Sequence, residues 1–121
     1  MEVSNNVEPL NFNCNISKNT IEYKCYKSEK EAHIEYSNID PDIYKSYFIL
    51  LRTSIDTLKS KGYEKIVQLV TEADWRNYLK NTKWNIRNEK YLPSNDKCYV
   101  IECNIDDALE CISKGLGMQF Q

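Results

Sequence analysis

The sequence is short of glycine and proline, with three of each among its 121 residues, and it has a single histidine. No phosphate-binding P-loop, dinucleotide-binding fingerprint, nucleophile elbow, zincin helix or EF-hand sequence occurs in it. Because these motifs are absent, we expect no catalytic residue and no cofactor. Their absence leaves enzymes open as a class but shifts the expectation toward a binding role.

Long hydrophobic runs are also lacking. The longest, Tyr47 to Leu51, is far below the roughly 20 residues that a membrane-spanning helix requires. The first nine residues carry Glu2 and Glu8 and no basic residue, which does not fit a secretory or transit peptide. We therefore expect a soluble cytoplasmic protein without membrane contact, or one in the host cytoplasm or virion if its source is viral.

Paired metal-ligand motifs are missing too. The five cysteines form no CxxC pair, and one histidine complements them. Zinc sites commonly draw four ligands from closely spaced pairs. We expect no metal site, and we expect the thiols to be free and buried like small hydrophobic side chains.

Three residue types dominate what is present. Asn, Lys and Ile account for 38 of the 121 residues, a bias typical of an A/T-rich genome. Because the same bias produces runs of asparagine, these runs are not interpreted as functional. A viral or phage accessory protein would suit the size and the composition.

The length suits one domain, and we expect a flexible N-terminal segment at residues 1–8 and a single α+β domain at residues 9–121. Apolar residues alternate from Leu10 to Ile16, from Ile21 to Cys25 and from Ala32 to Tyr36. This period of two predicts a three-stranded antiparallel meander with every apolar side chain on one face. The expected opposite pairs are Ile16 with Ile21, Cys14 with Tyr23, Phe12 with Cys25, Tyr23 with Ile34, and Cys25 with Ala32.

Asp40 and Pro41 then predict the start of a helix of about 20 residues, with Gly62 just past its end. A buried central strand is predicted at residues 66–70 and a short helix at residues 71–80. A brief strand around Trp84 and Ile86 is expected before a polar loop at residues 88–97. A strand at residues 98–103 and a last helix capped by Asn104 complete the series.

The predicted fold is α+β: an antiparallel or mixed sheet, opening with the meander, with the long helix packed across one face. Its order, βββ-α-β-α-(β)-β-α, resembles that of the GNAT acetyltransferase superfamily over about 70 residues. Members of that superfamily carry a glycine-rich pyrophosphate loop between the meander and the long helix. Here the segment reads Ser37 to Asp42, with Asp40 and Asp42 and no glycine. Acidic residues at a helix start repel a second anion, so the resemblance implies an altered coenzyme site.

Two groups on the polar face of the meander can be interpreted chemically. His33 lies between Glu31 and Glu35, and a histidine–carboxylate pair can act as a base. Glu22 and Glu35 should lie opposite each other, and paired carboxylates can divide acid and base roles. Exposed side chains on a solvated sheet face are the simpler interpretation of both.

A basic and aromatic segment runs from Trp75 to Tyr91. Its charge is +4, from five basic residues and Glu89, which leaves −6 for the rest of the chain. Interleaved cations and aromatic rings are typical of surfaces that bind nucleic acid or phosphate. The candidate binding residues are Arg76, Lys80, Lys83, Trp84, Arg87 and Lys90.

A protein surface is the other candidate. Tyrosine is enriched at interfaces, and the alternating tail after Gly115 suits an edge strand or a contact with another subunit. The candidate interface residues are Tyr26, Tyr91, Tyr99, Leu116, Met118 and Phe120.

The first functional hypothesis is a small non-enzymatic module that acts through contacts with a protein partner or with a second copy of itself as a homodimer. The alternatives are a nucleic-acid-binding protein that uses residues 75–91, and a relative of the GNAT acyltransferases with a degenerate coenzyme site.

Overall fold

A computed structural model describes residues 7–13, 18–38, 44–73, 75 and 83–111. Three strands come first along the chain, followed by one long helix and then by three further strands. They are β1 (Val7–Asn13), β2 (Thr20–Tyr26), β3 (Glu31–Asn38), α1 (Tyr44–Ser60), β4 (Lys65–Thr71), β5 (Asn85–Tyr91) and β6 (Lys97–Asn104). Residues 105–111 form a second helix directly after β6.

The six strands form one mixed sheet in the order β1-β2-β3-β4-β6-β5. All neighbours are antiparallel except β3 and β4, which are parallel. The predicted α+β class, with its N-terminal meander and its long helix over one face, is therefore confirmed. The division into residues 1–8 and 9–121 stays a prediction.

The register between β1 and β2 differs from the predicted one by four residues. Phe12 lies opposite Ile21 and Leu10 opposite Tyr23, whereas Ile16 and Cys14 had been expected there. A shift by an even number keeps the same side chains on the same face, so Leu10 and Phe12 still pack against the core. The alternation predicts the face, and only the pairing decides the register.

Between β2 and β3 the predicted register is confirmed near the hairpin, where Tyr23 lies opposite Ile34 and Cys25 opposite Ala32. It then shifts by one, and Glu22 pairs with Tyr36. The prediction that Glu22 faces Glu35 is wrong, because Glu35 is the extra residue of a β-bulge. A bulge leaves one residue unpaired and bends its strand.

The core lies between the sheet and α1. Ile55 and Leu58 of α1 are buried with Ile21, Tyr23 and Ile66 of the sheet. Ser54 donates a hydrogen bond to the Leu51 carbonyl at 2.8 Å, and its oxygen lies 2.7 Å from the Tyr23 hydroxyl. The polar atoms buried in this contact are therefore paired, as burial requires.

The helix ends as predicted. Gly62 has a φ of 98°, a left-handed conformation that glycine adopts without steric cost. The amide of Tyr63 then donates to the Leu58 carbonyl at 3.1 Å, which closes the helix end. The predicted start at Asp40 and Pro41 lies outside the described residues.

The strand β4 is central, as predicted, and Ile66 and Val67 are buried on its two faces. The polar segment expected to be a loop from Asn88 onward is instead part of β5, and this prediction is wrong. All seven residues of β5 are exposed, because an edge strand on an open face needs no apolar pattern and its backbone is paired with β6.

The cap of the last helix is confirmed. The amide of Asp106 donates to the Asn104 side-chain oxygen at 3.0 Å, the bond that an N-cap asparagine supplies. Gly115, its predicted end, and most of the predicted helix at residues 71–80 lie outside the described residues. Within the ranges that are described, no helix is long and apolar enough to cross a membrane.

Candidate functional site

The two parallel strands at the centre of the sheet part after a short contact. They pair at three positions only, from Glu31 opposite Lys65 to His33 opposite Val67. Beyond these, β3 continues to Asn38 and β4 to Thr71 without pairing with each other. The Glu35 bulge lies at the parting, and its bend accounts for the divergence. We call this opening, between residues 34–38 and 68–71, the fork.

A cavity of about 330 Å³ adjoins the fork on the face of the sheet opposite α1. Val67, Leu69 and Val100 contribute apolar surface from the adjacent strands β4 and β6. His33 and Glu35 line it from β3, and Arg87, Asn88 and Lys90 line it from β5. We call it the fork cavity. Its volume is at the lower end of the range of small-molecule sites.

Arg87 belongs to a second β-bulge. Ile86 pairs with Ile101 and Asn88 with Val100, so Arg87 is the extra residue. Bulges change the direction in which a side chain points, and Arg87 reaches from the edge strand to Glu31 on β3. Both bulges of the sheet thus supply residues to the fork cavity.

Glu31 is the centre of an ion-pair network beside the cavity. Its Oε1 accepts hydrogen bonds from Arg87 Nη1 at 2.9 Å and from His33 Nε2 at 3.0 Å. Arg87 Nε also lies 3.7 Å from Glu102 Oε1, and Lys65 Nζ lies 3.4 Å from Glu102 Oε2. The Glu31 side chain is only 11% exposed, so the network holds a nearly buried carboxylate.

The network stabilises the ionised form of that carboxylate. Burial by itself would raise the pKa of Glu31, but the hydrogen bonds from Arg87 and His33 outweigh it, and the pKa lies below its ordinary value. The same contact with Glu31 raises the pKa of Arg87. Glu31 is therefore an anion at neutral pH.

The ionised partner determines the tautomer of His33. A carboxylate only accepts hydrogen bonds, so the Nε2 that faces it must carry the proton. In the neutral ring Nδ1 is then the free acceptor. The ring packs edge-on against Tyr26, with centroids 4.7 Å apart, which restricts its rotation. The histidine–carboxylate pair considered from the sequence is present, and its partner is Glu31.

The basic and aromatic segment is divided in the structure. Lys83 pairs with Asp107 and Glu110 at 3.3 and 3.4 Å, and Arg87 pairs with Glu31. Trp84 is half-buried and packs against the core below α1 and against a second cluster, which contains Tyr99 and Ile101. Lys90 is exposed at the fork cavity. Arg76 and Lys80 lie outside the described residues. Nucleic-acid binding by this segment stays a prediction.

The three candidate interface residues that the structure describes differ in their exposure. Tyr99 is buried and donates to Glu72 at 3.2 Å, Tyr26 is half-buried against His33, and Tyr91 is 64% exposed on the edge strand. Leu116, Met118 and Phe120 lie outside the described residues, and the homodimer stays a prediction.

The contact between Glu31 and Arg87 was not predicted from the sequence. They are 56 residues apart, and no motif joins them. The one local feature of the sequence that points to Glu31 is the cluster of charged residues around His33. Within the described residues, no group of three or more His, Cys, Asp or Glu side chains is placed to hold a metal ion.

Solved structures with the same fold are known. The ribosomal-protein-S18-alanine N-acetyltransferase from Escherichia coli matches with a TM-score of 0.62 and 17% identity, over 85% of this chain and 74% of that one. An acetyltransferase from Bacillus cereus matches with a TM-score of 0.60 and 14% identity, over 81% and 74%. A CoA-dependent acyl-homoserine lactone synthase, solved with SAM and isopentyl-CoA, matches with a TM-score of 0.58 and 7% identity, over 80% and 58%.

No family model and no curated protein matches the sequence. The similarity therefore lies in the fold, which is that of the GNAT acetyltransferases and agrees with the element order predicted from the sequence. The first functional hypothesis, a non-enzymatic interaction module, is wrong, because the structures that share the fold are acyltransferases. Its interpretation as a viral or phage accessory protein finds no support among them.

Proposed function

We propose that this protein transfers an acyl group from acyl-coenzyme A to an amine in the fork cavity. The observation that carries the proposal is the parting of β3 and β4 at the Glu35 bulge. It occurs in a fold that solved acyltransferases share.

The fork suits the pantetheine arm of coenzyme A. The facing edges of residues 34–38 and 68–71 do not pair with each other, so the backbone groups that border this gap are not paired across it. An extended chain that carries amide groups can bind between such edges much as an added strand does. These backbone groups are the ones that would hold the arm.

The phosphate groups of coenzyme A are expected to contribute little to its binding affinity. The segment between β3 and α1 has no glycine and carries Asp40 and Asp42, and carboxylates at a helix start repel phosphate. Both aspartates lie outside the described residues, so this part of the proposal rests on the sequence. We expect the arm to provide most of the affinity, and coenzyme binding to be weak.

When bound, acyl-coenzyme A supplies its acyl group as a thioester, so an amine nitrogen can bond to the acyl carbon while the C–S bond breaks and the sulfur leaves as a thiol. The nitrogen loses one proton to the departing sulfur, and an amine that binds as its ammonium form must first lose another proton to a base before it can attack. His33 lines the cavity with Nδ1 as the free acceptor, and we assign it as the base that takes this proton.

Glu31 and Arg87 are positioning residues for that base. Glu31 holds the Nε2 proton of His33 and stabilises the imidazolium that forms when Nδ1 accepts a second proton. Arg87 holds the Glu31 carboxylate in place through the hydrogen bond of 2.9 Å and stabilises its ionised form.

We place the reaction in the cytoplasm. Cys25, Cys98, Cys103 and Cys111 are free thiols, the state that a reducing compartment maintains.

Two measurements test the proposal. Acetyl-coenzyme A at millimolar concentration should raise the melting temperature, because a ligand that binds only the folded state stabilises it. Incubation with a panel of primary amines should release free coenzyme A thiol. His33→Gln should still be stabilised by the ligand but lose roughly 100-fold or more in turnover.

The control variant is Glu22→Gln, which changes an exposed carboxylate on the neighbouring strand outside the fork cavity. It should turn over like the parent protein. An unchanged melting temperature together with no thiol release from any amine would overturn the proposal.

A further inference from the structure

The fork cavity has an apolar centre between two charged sides. Val67, Leu69 and Val100 lie in the middle, His33 and Glu35 on the β3 side, and Lys90 on the β5 side. In the strand order, β3 and β5 are three strands apart, or about 14 Å from backbone to backbone. A ligand that spans the cavity therefore meets a different charge at each end.

Not all of these charges are available to a ligand. Arg87 is already engaged by Glu31 and Glu102. Lys90 and Glu35 are exposed, and among the described residues neither forms an ion pair with another side chain. Each can therefore bind an opposite charge without breaking an existing pair.

We infer that the acyl acceptor is an amine that carries a carboxylate at the opposite end of an apolar body. This inference rests on the proposed acyl transfer. The amine lies beside Glu35 and His33, the apolar body lies over Val67, Leu69 and Val100, and the carboxylate lies at Lys90.

This class of acceptor follows from the distribution of charge. Glu35 attracts the ammonium form of the amine and brings it to the free Nδ1 of His33, which takes its proton. Lys90 attracts the far end, so an amine without a carboxylate loses that attraction. Linear ω-amino acids and short peptides both carry an amine at one end and a carboxylate at the other. The experiment compares these two sources.

Binding is measured first, by calorimetry without any acyl donor. The probes are 6-aminohexanoate, the dipeptide glycyl-leucine, and hexylamine as the matched amine without a carboxylate. At least one of the two carboxylate-bearing probes should bind about tenfold more tightly than hexylamine, the difference expected of one charge-assisted contact. Equal or absent binding of all three would overturn the inference.

The variant Lys90→Gln should reduce that preference to less than about twofold, and Lys27→Gln, an exposed lysine of the β2–β3 hairpin, should leave it intact. In acyl transfer, Lys90→Gln should raise KM for the carboxylate-bearing acceptor with kcat unchanged. A preference that survives Lys90→Gln would overturn the inference.

The two proposals fail differently. If the carboxylate-bearing probes bind through Lys90 but no acyl-coenzyme A stabilises the protein and no thiol is released, the proposed reaction is wrong while the ligand class stands. If thiol is released equally with hexylamine and with 6-aminohexanoate, the reaction stands and the ligand class is wrong.

Discussion

Arg87 Nη1 lies 2.9 Å from Glu31 Oε1, across the width of two intervening strands. The contact joins the edge strand β5 to the strand that opens the fork. It depends on a bulge that places Arg87 out of the regular alternation. One hydrogen bond therefore links the end of the sheet to the geometry of the candidate base.

The first prediction concerns this pair. Glu31→Gln should lower the free energy of unfolding at pH 7 by about 1–2 kcal/mol, because it replaces a charge-assisted hydrogen bond in a nearly buried position by a neutral one. Urea denaturation measures this. The control Glu64→Gln removes an exposed pair with Lys30 and should change little, so equal losses in both variants would contradict the assigned role of Glu31.

The second prediction is a pH dependence. The folded-state pKa of Glu31 lies below its ordinary value, so the unfolded chain binds the proton more readily. The stabilisation of the folded protein by ionised Glu31 is therefore fully present at pH values above the ordinary pKa of glutamate. It is lost as the pH falls through the lower pKa that Glu31 has in the folded state. The difference in unfolding free energy between the parent protein and Glu31→Gln should be complete at pH 7 and shrink steadily as the pH falls below the ordinary glutamate range. A difference that stays constant across this range would contradict the linkage.

The third prediction concerns the bulge that opens the fork. Tyr36 already pairs with Glu22, so deletion of Glu35 leaves the strand partners unchanged and removes only the extra residue. We expect β3 to straighten toward β4, and stabilisation by acetyl-coenzyme A to disappear. Circular dichroism should show that the sheet remains.

Substitution of the same residue is the control for this deletion. Glu35→Gln keeps the bulge and its backbone, and should therefore keep the stabilisation by acetyl-coenzyme A while losing the charge. Full stabilisation of the deletion variant would show that the bulge is not what keeps the fork open.

The fourth prediction concerns the buried thiols. Burial, reinforced by the charge of Glu8, raises the pKa of Cys25 to about 11. Burial, reinforced by the nearby Cys111 and Asp107, raises that of Cys103 to about 12. Only the thiolate is alkylated, so in the native protein at pH 8 both should resist iodoacetamide, and urea should expose both.

The half-buried Cys111 is the internal reference for this experiment, and mass spectrometry of labelled peptides separates the sites. Native labelling of Cys103 at the rate of Cys111 would contradict the burial of Cys103 in the core of the protein.

Much of the fold could be predicted because its signals are local. The alternation of Ile21, Tyr23 and Cys25 specifies one buried face, and Gly62 and Asn104 mark a helix end and a helix start by their own backbone chemistry. Each of these signals depends on residues close together in the chain. The structure confirms the features that these local signals predict.

The candidate site could not be predicted in the same way. Glu22 was expected to face Glu35 because the β2–β3 pairing was assumed to be regular where a bulge in fact lies. A loop was expected after Asn88 because a polar segment was assumed not to pair as a strand. A bulge depends on which strand lies on each side, and an exposed edge strand is held by its backbone bonds to β6. Neither is encoded in a local pattern of hydrophobicity.

The sequence by itself determined which side chains face the core, where α1 ends, and that a meander is followed by a long helix. It did so because periodicity and capping act within a few residues. Only the tertiary structure decided where β3 and β4 part, that Glu31 meets Arg87, and that Lys90 and Glu35 border one cavity. These relations join strands that are distant in the chain, and they depend on which strands pair, which a local hydrophobic pattern does not specify.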